Sequence, residues 1–241
     1  MRTVSTDRSA RSARSEFVQG IMDCVPTLLG YISIGFACGI VANSAHLSIL
    51  EIGLMSILVY AGSAQFIMCA MIITMSPPSA IILTTFLVNL RHFLMSATLA
   101  PHFTKYSLMN NIGIGSLLTD ESFGVATNRL AMGLQLNDRW MHGLNISAYL
   151  TWIGSCMLGG WLGGWISNPE TFGLDFALTA MFAALLILQL HAMPRSKLKH
   201  YVLLIIYTII GMLVLSCFVS TYIAVLVTTM IVATIGVLTE K

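Results

Sequence analysis

Long apolar stretches with almost no charge dominate the chain, and short polar segments separate them. A stretch needs about 20 residues to cross the hydrocarbon of a bilayer, and the ones that qualify are 24–42, 52–75, 80–100, 144–166 and 176–193. A further uncharged stretch, 201–238, is long enough for two crossings and is predicted to be a helical hairpin that turns near Ser216 to Thr221. The pattern predicts helices, because backbone polar groups in lipid must be satisfied internally and no alternating strands appear.

Composition supports a membrane protein. Apolar residues make up 56% of the chain, Asp, Glu, Lys and Arg only 9%, and the mean hydropathy is +0.84, whereas a soluble domain carries about 25% charge. The net charge of +2 gives no indication of a nucleic-acid partner. The cysteines stand singly in apolar runs without a C-x-x-C pair, so we interpret them as packing thiols and expect no metal site and no cofactor. They are Cys24, Cys38, Cys69, Cys156 and Cys217.

The cations are distributed asymmetrically and predict the orientation in the membrane. One group precedes the first apolar run and another follows the fifth: Arg2, Arg8, Arg11 and Arg14, then Arg195, Lys197, Lys199 and His200. By the positive-inside rule both groups are cytoplasmic. We interpret residues 1–16 as a disordered basic cytoplasmic tail rather than a cleaved signal, and residues 17–241 as a polytopic transmembrane transporter domain.

Counting crossings between these two anchors assigns a role to a short polar segment. If the first three runs each cross, the chain emerges outside near His102 and Lys105. It must return before Arg129, since the fourth run has to exit again for the fifth to end at the basic group, and 111–128 is the candidate for that return. The predicted fold is therefore an all-α integral membrane protein with about seven transmembrane helices plus one short polar segment, broken or re-entrant.

Polar residues occupy the middle of the third span. A charged side chain there costs about 2.5–3.5 kcal/mol, so it is a candidate functional residue. Thr85, Asn89, His92 and Ser96 follow helical spacing and form one polar stripe, while Arg91 lies about 100° away. The stripe suits a water-filled pathway beside which Arg91 binds an anion. Two other interpretations stay open: that a buried carboxylate neutralises Arg91 to hold helices together, and that His92 is a hydrogen-bonded core residue.

The second span contains a patch of small residues, LVYAGSAQFIM. Gly62 and Ser63 predict a kink, and Tyr60 and Gln65 bring hydrogen-bonding groups to the middle of the membrane. A broken helix presents free N–H and C=O groups, which transporters use to hold charged groups of a substrate. The alternative is tight packing of the small residues, with Gln65 bonded to a neighbouring helix.

The segment NNIGIGSLLTDESFGVA carries two adjacent carboxylates. Thr119 is predicted to cap a helix whose first turn holds Asp120 and Glu121. Such carboxylates are unfavourable in a membrane unless they are paired or protonated, and Arg91 and His92 are the natural partners. As an interfacial loop the segment would need no function.

Small residues recur at helix-packing spacing in two spans. Gly35 and Gly39 lie in the first, and Ser155, Gly159 and Gly163 in the fourth long run. Such residues allow close approach of helices in lipid. They indicate packing within the chain or, alternatively, the docking of a second membrane subunit on the Trp-flanked GGWLGGW sequence.

Three blocks in order resemble a known family. YAGSAQF, NLRHFLM and LTDESFG are similar to the YAGxxQF, RHxLY and LTDExF blocks of the AzlC family, the large subunit of bacterial branched-chain amino acid exporters. The matching positions are Tyr60, Gly62, Gln65, Phe66, Arg91, His92, Leu118, Thr119, Asp120, Glu121 and Phe123. The resemblance implies proton-driven export of leucine, isoleucine, valine and often methionine, together with a small AzlD-type membrane subunit. Met95 stands where many members have tyrosine.

These observations predict a proton-coupled exporter of branched-chain amino acids in the bacterial cytoplasmic membrane, not an enzyme. Arg91 is predicted to bind the substrate carboxylate, and the remaining substrate residues are Tyr60, Gly62, Ser63, Gln65, Phe66, Asn89 and Phe93. Tyr60, Phe66 and Phe93 are expected to line an apolar pocket for the substrate side chain, since such a site must be mostly hydrophobic. Asp120 or Glu121 is predicted to couple protons, with His92 as relay. The alternatives are the permease subunit of an ATP-driven transporter, whose ATPase would be a separate chain because no Walker A sequence is present, and a passive channel for small amphipathic solutes.

Overall fold

A computed structural model describes residues 3–165, 195–219 and 221–239, together with the single positions 176, 180, 183, 186, 187 and 190. The chain forms two compact units, residues 1–178 and 179–241. The predicted fifth span and the loop before it lie almost entirely outside the described residues.

Every regular element in the described residues is a helix, which confirms the all-α prediction. The first unit contains α1 (Thr3–Ser44), α2 (Ile49–Leu58), α3 (Gly62–Ile73), α4 (Pro78–Leu99), a 3₁₀ turn (Ala100–Phe103), α5 (Leu108–Ser116), α6 (Asp120–Ala131) and α7 (Asp138–Gly163), and the second contains α8 (Arg195–Leu215) and α9 (Thr221–Thr239). Three stretches of the described helices are long and apolar enough to cross a membrane: Ser15–Ser44, Pro78–Phe103 and Lys197–Leu215. The number of seven spans stays a prediction.

The predicted second span is two helices, not one. α2 ends at Leu58 and α3 begins at Gly62, so the kink expected near Gly62 is a complete break. Tyr60 lies in the break with φ of +40°, a conformation that is unfavourable for a side chain of this size. At the other end of α2, hydrogen bonds from Ser48 lower the pKa of the Glu51 carboxyl.

The segment predicted to make the short return is interrupted in the same way. α5 and α6 are separated only by residues 117–119. The Thr119 side chain accepts a hydrogen bond from the Ser122 N–H at 3.3 Å, which confirms the predicted N-cap of α6. The first unit therefore contains two interrupted helices, α2–α3 and α5–α6.

The core of the first unit forms where α1 packs along α7. A Cβ on Gly143 would lie 2.1 Å from the Phe17 carbonyl oxygen, and one on Gly159 would lie 2.1 Å from that of Phe36. Only glycine allows this approach. The small residues of these spans therefore pack within the chain, which is the first of the two interpretations given for them above. Moving along α7 from Gly143 to Gly159, the contacted residue in α1 moves from Phe17 to Phe36, so α1 and α7 run in the same direction. This agrees with a crossing count in which both helices leave the membrane on the same side.

The beginning of the chain differs from expectation. α1 starts at Thr3 and covers most of the segment 1–16 for which we predicted disorder. That segment contains no proline or glycine, and its four arginines favour helix.

In the second unit α8 ends at Leu215 and α9 begins at Thr221, which confirms the helical hairpin. The basic group Arg195 to His200 forms the first turns of α8 rather than a loop.

Candidate functional site

Arg91 joins the two interrupted helices. Its guanidinium Nη2 donates to Ser63 Oγ at 2.5 Å, in the first turn of α3, and its Nη1 lies 2.8 Å from Asp120 Oδ2, the first residue of α6. The side chains of Arg91 and Asp120 are 26% and 16% exposed, so the ion pair is largely but not completely enclosed. The pairing of Arg91 with a carboxylate of this segment, expected from the sequence, is present.

The electrostatic character of this site favours anions. The first turns of α3 and α6 both lie against Arg91, and helix N-termini carry positive dipole ends with unpaired N–H groups. Ala61, the N-cap of α3, provides no side-chain hydrogen bond to that first turn. Asp120 supplies one negative charge, and the arrangement suits a second carboxylate that competes for Arg91.

Glu121, next to Asp120, is held by a different partner. Tyr31 in α1 donates its hydroxyl to Glu121 Oε2 at 3.0 Å and also shares a hydrogen bond with Thr119 Oγ1. The two adjacent carboxylates therefore have different partners: Asp120 pairs with the Arg91 guanidinium, and Glu121 accepts from the Tyr31 phenol. Sequence reasoning did not find Tyr31, although a tyrosine inside an apolar span is a signal, because a buried hydroxyl generally finds a partner.

Gln65 faces α7 rather than Arg91. Its side chain is fully buried, and its Oε1 accepts a hydrogen bond from the indole Nε1 of Trp152 at 2.8 Å. Trp152 also stacks edge-on against Tyr31, with ring centroids 5.5 Å apart, and leaves no room for a Cβ at Gly62. For Gln65 the structure therefore agrees with the packing alternative.

The three aromatic residues predicted to line one pocket are separated. Tyr60 and Phe66 are buried, and the Tyr60 ring packs edge-on against Tyr149 at 4.7 Å. Phe93 is 71% exposed and lines a cavity that includes neither of the other two rings. The physical reason is that Phe93 lies two residues beyond Arg91, about 200° around the helix from it.

The polar stripe of α4 is the partly buried side of that helix. Thr85, Asn89, His92 and Ser96 are intermediate in exposure, whereas Phe86 and Leu94 are exposed. Thr85 Oγ1, Asn89 Oδ1 and His92 Nε2 are buried, and they make no hydrogen bond within the part of the chain that the structure describes. Buried polar atoms of this kind require water or a ligand.

The far end of α6 is fixed by a cluster that the sequence did not reveal. Arg129 Nη1 lies 3.1 Å from Asp23 Oδ2, and the same oxygen accepts the Trp140 indole N–H at 2.8 Å. The Arg129 guanidinium also covers the Trp140 ring at 4.6 Å. These contacts connect α6 to α1 and α7. No group of three or more His, Cys, Asp and Glu side chains in the described residues is placed to hold a metal ion.

The fold and this site define a multi-pass helical membrane protein in which an ion pair joins two interrupted helices. The chain belongs to the AzlC family, since the family model described as AzlC protein matches residues 26–166. This confirms the resemblance seen in the sequence, and membership supports a role in transport.

Several relatives extend the likeness over most of the chain. The chain is 30% identical over 198 residues to an uncharacterized membrane protein of Archaeoglobus fulgidus, covering 78% of this chain and 80% of the relative. It is 28% identical to the inner membrane protein YgaZ of Escherichia coli, over 71% of this chain and 72% of that protein. It is 27% identical to the branched-chain amino acid transport protein AzlC of Bacillus subtilis, over 73% and 67%. No solved structure matches the chain.

Proposed function

We propose that the chain is the large subunit of a proton-coupled exporter of leucine, isoleucine and valine in the bacterial cytoplasmic membrane, with its N-terminus in the cytoplasm. The name of the Bacillus subtilis relative supports the substrate class. The cations that precede the first span support the orientation. The observation that carries the proposal is the Arg91 guanidinium, held between Ser63 and Asp120 where two interrupted helices meet.

Arg91 binds the carboxylate of the amino acid. A guanidinium presents several N–H donors in a fixed fork, so it can accept a substrate carboxylate while it keeps its bond to Ser63. The arriving carboxylate competes with Asp120 for the same guanidinium. Apolar surroundings then accept the branched side chain, as sites for such ligands require.

Proton coupling follows from that competition. A displaced Asp120 carboxylate in a low-dielectric site is unfavourable as an anion and takes up a proton. When the substrate leaves, Asp120 pairs again with Arg91 and releases the proton. Glu121, held by Tyr31, is the second acceptor, and His92 on the polar stripe is the relay. Because Asp120 and Arg91 belong to different helices, pairing and unpairing favour different arrangements of α4 and α6.

The decisive experiment is leucine counterflow in liposomes, with and without the small AzlD-type subunit, at two external pH values. The proposal requires counterflow that saturates with leucine and that responds to a pH gradient. Flux that rises linearly with concentration and shows no counterflow would indicate a channel. Transport that requires an added ATPase would indicate an ATP-driven permease. Either result would overturn the proposal.

A further inference from the structure

A mostly apolar cavity of about 260 Å³ lies between α4, the 3₁₀ turn and α5. Its apolar walls are Phe93 and Ala97 of α4, Phe103 of the 3₁₀ turn, Ile114 of α5, and Leu118 in the link to α6. Neither Arg91 nor Asp120 lines the cavity, so the ion pair does not account for it.

The cavity and the ion pair lie along the same helix, α4, where it passes α5 and then α6. Arg91 of α4 contacts Asp120 at the start of α6, and Ser96 of α4 lies against Gly115 of α5, where an added Cβ would be 3.6 Å from Ser96 Oγ. Leu118 in the cavity wall is two residues before Asp120. Ser96, a further lining residue, lies about 7.5 Å along the helix axis from Arg91. This separation is comparable to the length of an extended amino acid. A ligand whose carboxylate binds Arg91 can therefore reach the cavity with its side chain.

We propose that this cavity binds the branched aliphatic side chain of the transported amino acid and that Gly115 and Phe93 set the size that it accepts. The inference rests on the proposed function and assigns a place to the part of the substrate that Arg91 does not touch. The pocket therefore lies between α4 and α5. Of the three aromatic residues predicted to line it, Phe93 does so, whereas Tyr60 and Phe66 do not.

A polar group at the edge of the cavity suits the rest of the amino acid. Asn111 Nδ2 donates to the Phe103 carbonyl oxygen at 3.2 Å, which fixes the orientation of the amide. Its Oδ1 is buried and has no hydrogen-bond partner in the described residues. A buried acceptor of this kind is unfavourable when it is left unsatisfied. Asn111 lines the cavity, and its Oδ1 accepts a hydrogen bond from the substrate ammonium.

The volume and the apolar walls of the cavity suit an aliphatic side chain. Drug-sized ligands occupy pockets of about 300–1,000 Å³, and this cavity lies just below that range. It is large enough for the side chain of a small aliphatic amino acid. The glycine at position 115 maintains the space, since a Cβ there would lie 3.6 Å from Ser96 Oγ, an ordinary contact. A side chain at position 115 therefore begins without a clash and extends into the cavity.

The test compares the half-saturating concentrations of leucine and valine in liposome counterflow for Gly115→Leu and for the wild type. Filling the cavity removes the advantage of the longer side chain, so the leucine-to-valine preference falls by roughly four-fold, the value of one methylene. Gly113→Ala is the matched control on the same helix, because a Cβ at this position faces His142 of α7 at 3.4 Å instead of the cavity. It keeps the wild-type preference.

A second variant changes the cavity in the opposite direction. Phe93→Ala enlarges it at an exposed position, where folding does not depend on the ring. Phenylalanine then competes with leucine at a concentration roughly four-fold or more below that needed in the wild type. This variant carries the test if Gly115→Leu does not reach the membrane.

The outcomes separate the pocket from the proposed function. If the wild type exchanges leucine but both variants keep its preference, the pocket assignment is overturned and the cavity is a crevice filled by lipid. An equal change of preference in Gly113→Ala overturns it as well. Absence of leucine exchange in the wild type overturns the proposed function itself.

Discussion

Arg91 in α4 and Asp120 at the start of α6 form an ion pair with 2.8 Å between Nη1 and Oδ2. A cation in the middle of an apolar helix is thus compensated by a carboxylate from a different part of the chain. Breaking a fully buried pair costs about 3–5 kcal/mol, but both groups here keep some exposure, so the effect on stability is smaller. The pair is therefore suited to open and close rather than only to hold helices together.

Arg91→Lys tests whether the guanidinium binds substrate. Lysine keeps the charge beside Asp120 but lacks the planar fork needed to hold Ser63, Asp120 and a substrate carboxylate. We expect leucine export to fall by about 30-fold or more, with an unchanged amount of protein in the membrane fraction, and Arg91→Ala to abolish export. Measurement of export rate and membrane protein level in the same cells checks this. Loss of the protein itself from the membrane would identify a structural ion pair instead.

Asp120→Asn separates proton coupling from substrate exchange. Asparagine keeps the size and part of the hydrogen bonding of Asp120 but does not titrate. We expect vesicles to retain leucine exchange while their accumulation of leucine no longer responds to a pH gradient. Glu51→Gln is the matched control, because that carboxylate is exposed and bonds Ser48 at the start of α2, so we expect it to keep the gradient response. An undiminished gradient response in Asp120→Asn would remove this residue from coupling.

Local patterns were sufficient to predict several features of the site. Small residues before Gln65 predicted a kink where α2 and α3 are in fact separated, and Thr119 before two carboxylates predicted the cap of α6. The Arg91 partner followed from the free energy of burying a charge, which requires a counter-charge wherever the fold provides one. Each of these conclusions depends on a short sequence or on one dominant energy.

Contacts that depend on how helices dock were not predictable. Gln65 accepts a hydrogen bond from Trp152 because α7 passes beside α3. The sequence of neither helix indicates that the two helices are neighbours. Tyr31 reaches Glu121 for the same kind of reason. Phe93 was grouped with Tyr60 because a site for branched side chains must be mostly hydrophobic, although helical geometry directs Phe93 elsewhere. Without a docking arrangement, a sequence indicates which side chains need partners but not which partners they have.

Gly159→Val tests the packing of α1 on α7. A Cβ at Gly159 would lie 2.1 Å from the Phe36 carbonyl oxygen, so the backbones must separate. Overpacking of this kind costs about 1–3 kcal/mol or more, and we expect a lower thermal unfolding midpoint in detergent. Gly154→Val introduces the same side chain in the same helix, at a position where an added Cβ lies more than 4 Å from any neighbouring element that the structure describes, and keeps the wild-type midpoint. Equal destabilisation by the two variants would show that helix propensity, not close approach, is responsible.

Variants of Asp23 separate the stability contributed by a hydrogen bond from that contributed by an ion pair. The Asp23 carboxylate accepts from the Trp140 indole and pairs with Arg129. Trp140 is fully buried, and an indole N–H deprived of its acceptor costs about 1–3 kcal/mol. The Asp23 side chain is 38% exposed, so its charge attraction to Arg129 is screened and contributes about 1 kcal/mol or less. Asp23→Asn retains an acceptor for Trp140, and we expect its thermal midpoint to stay close to that of the wild type, whereas Asp23→Ala lowers it clearly. If the asparagine variant is as unstable as the alanine variant, the charge on Asp23 and not the bond to Trp140 fixes α6 to α1 and α7.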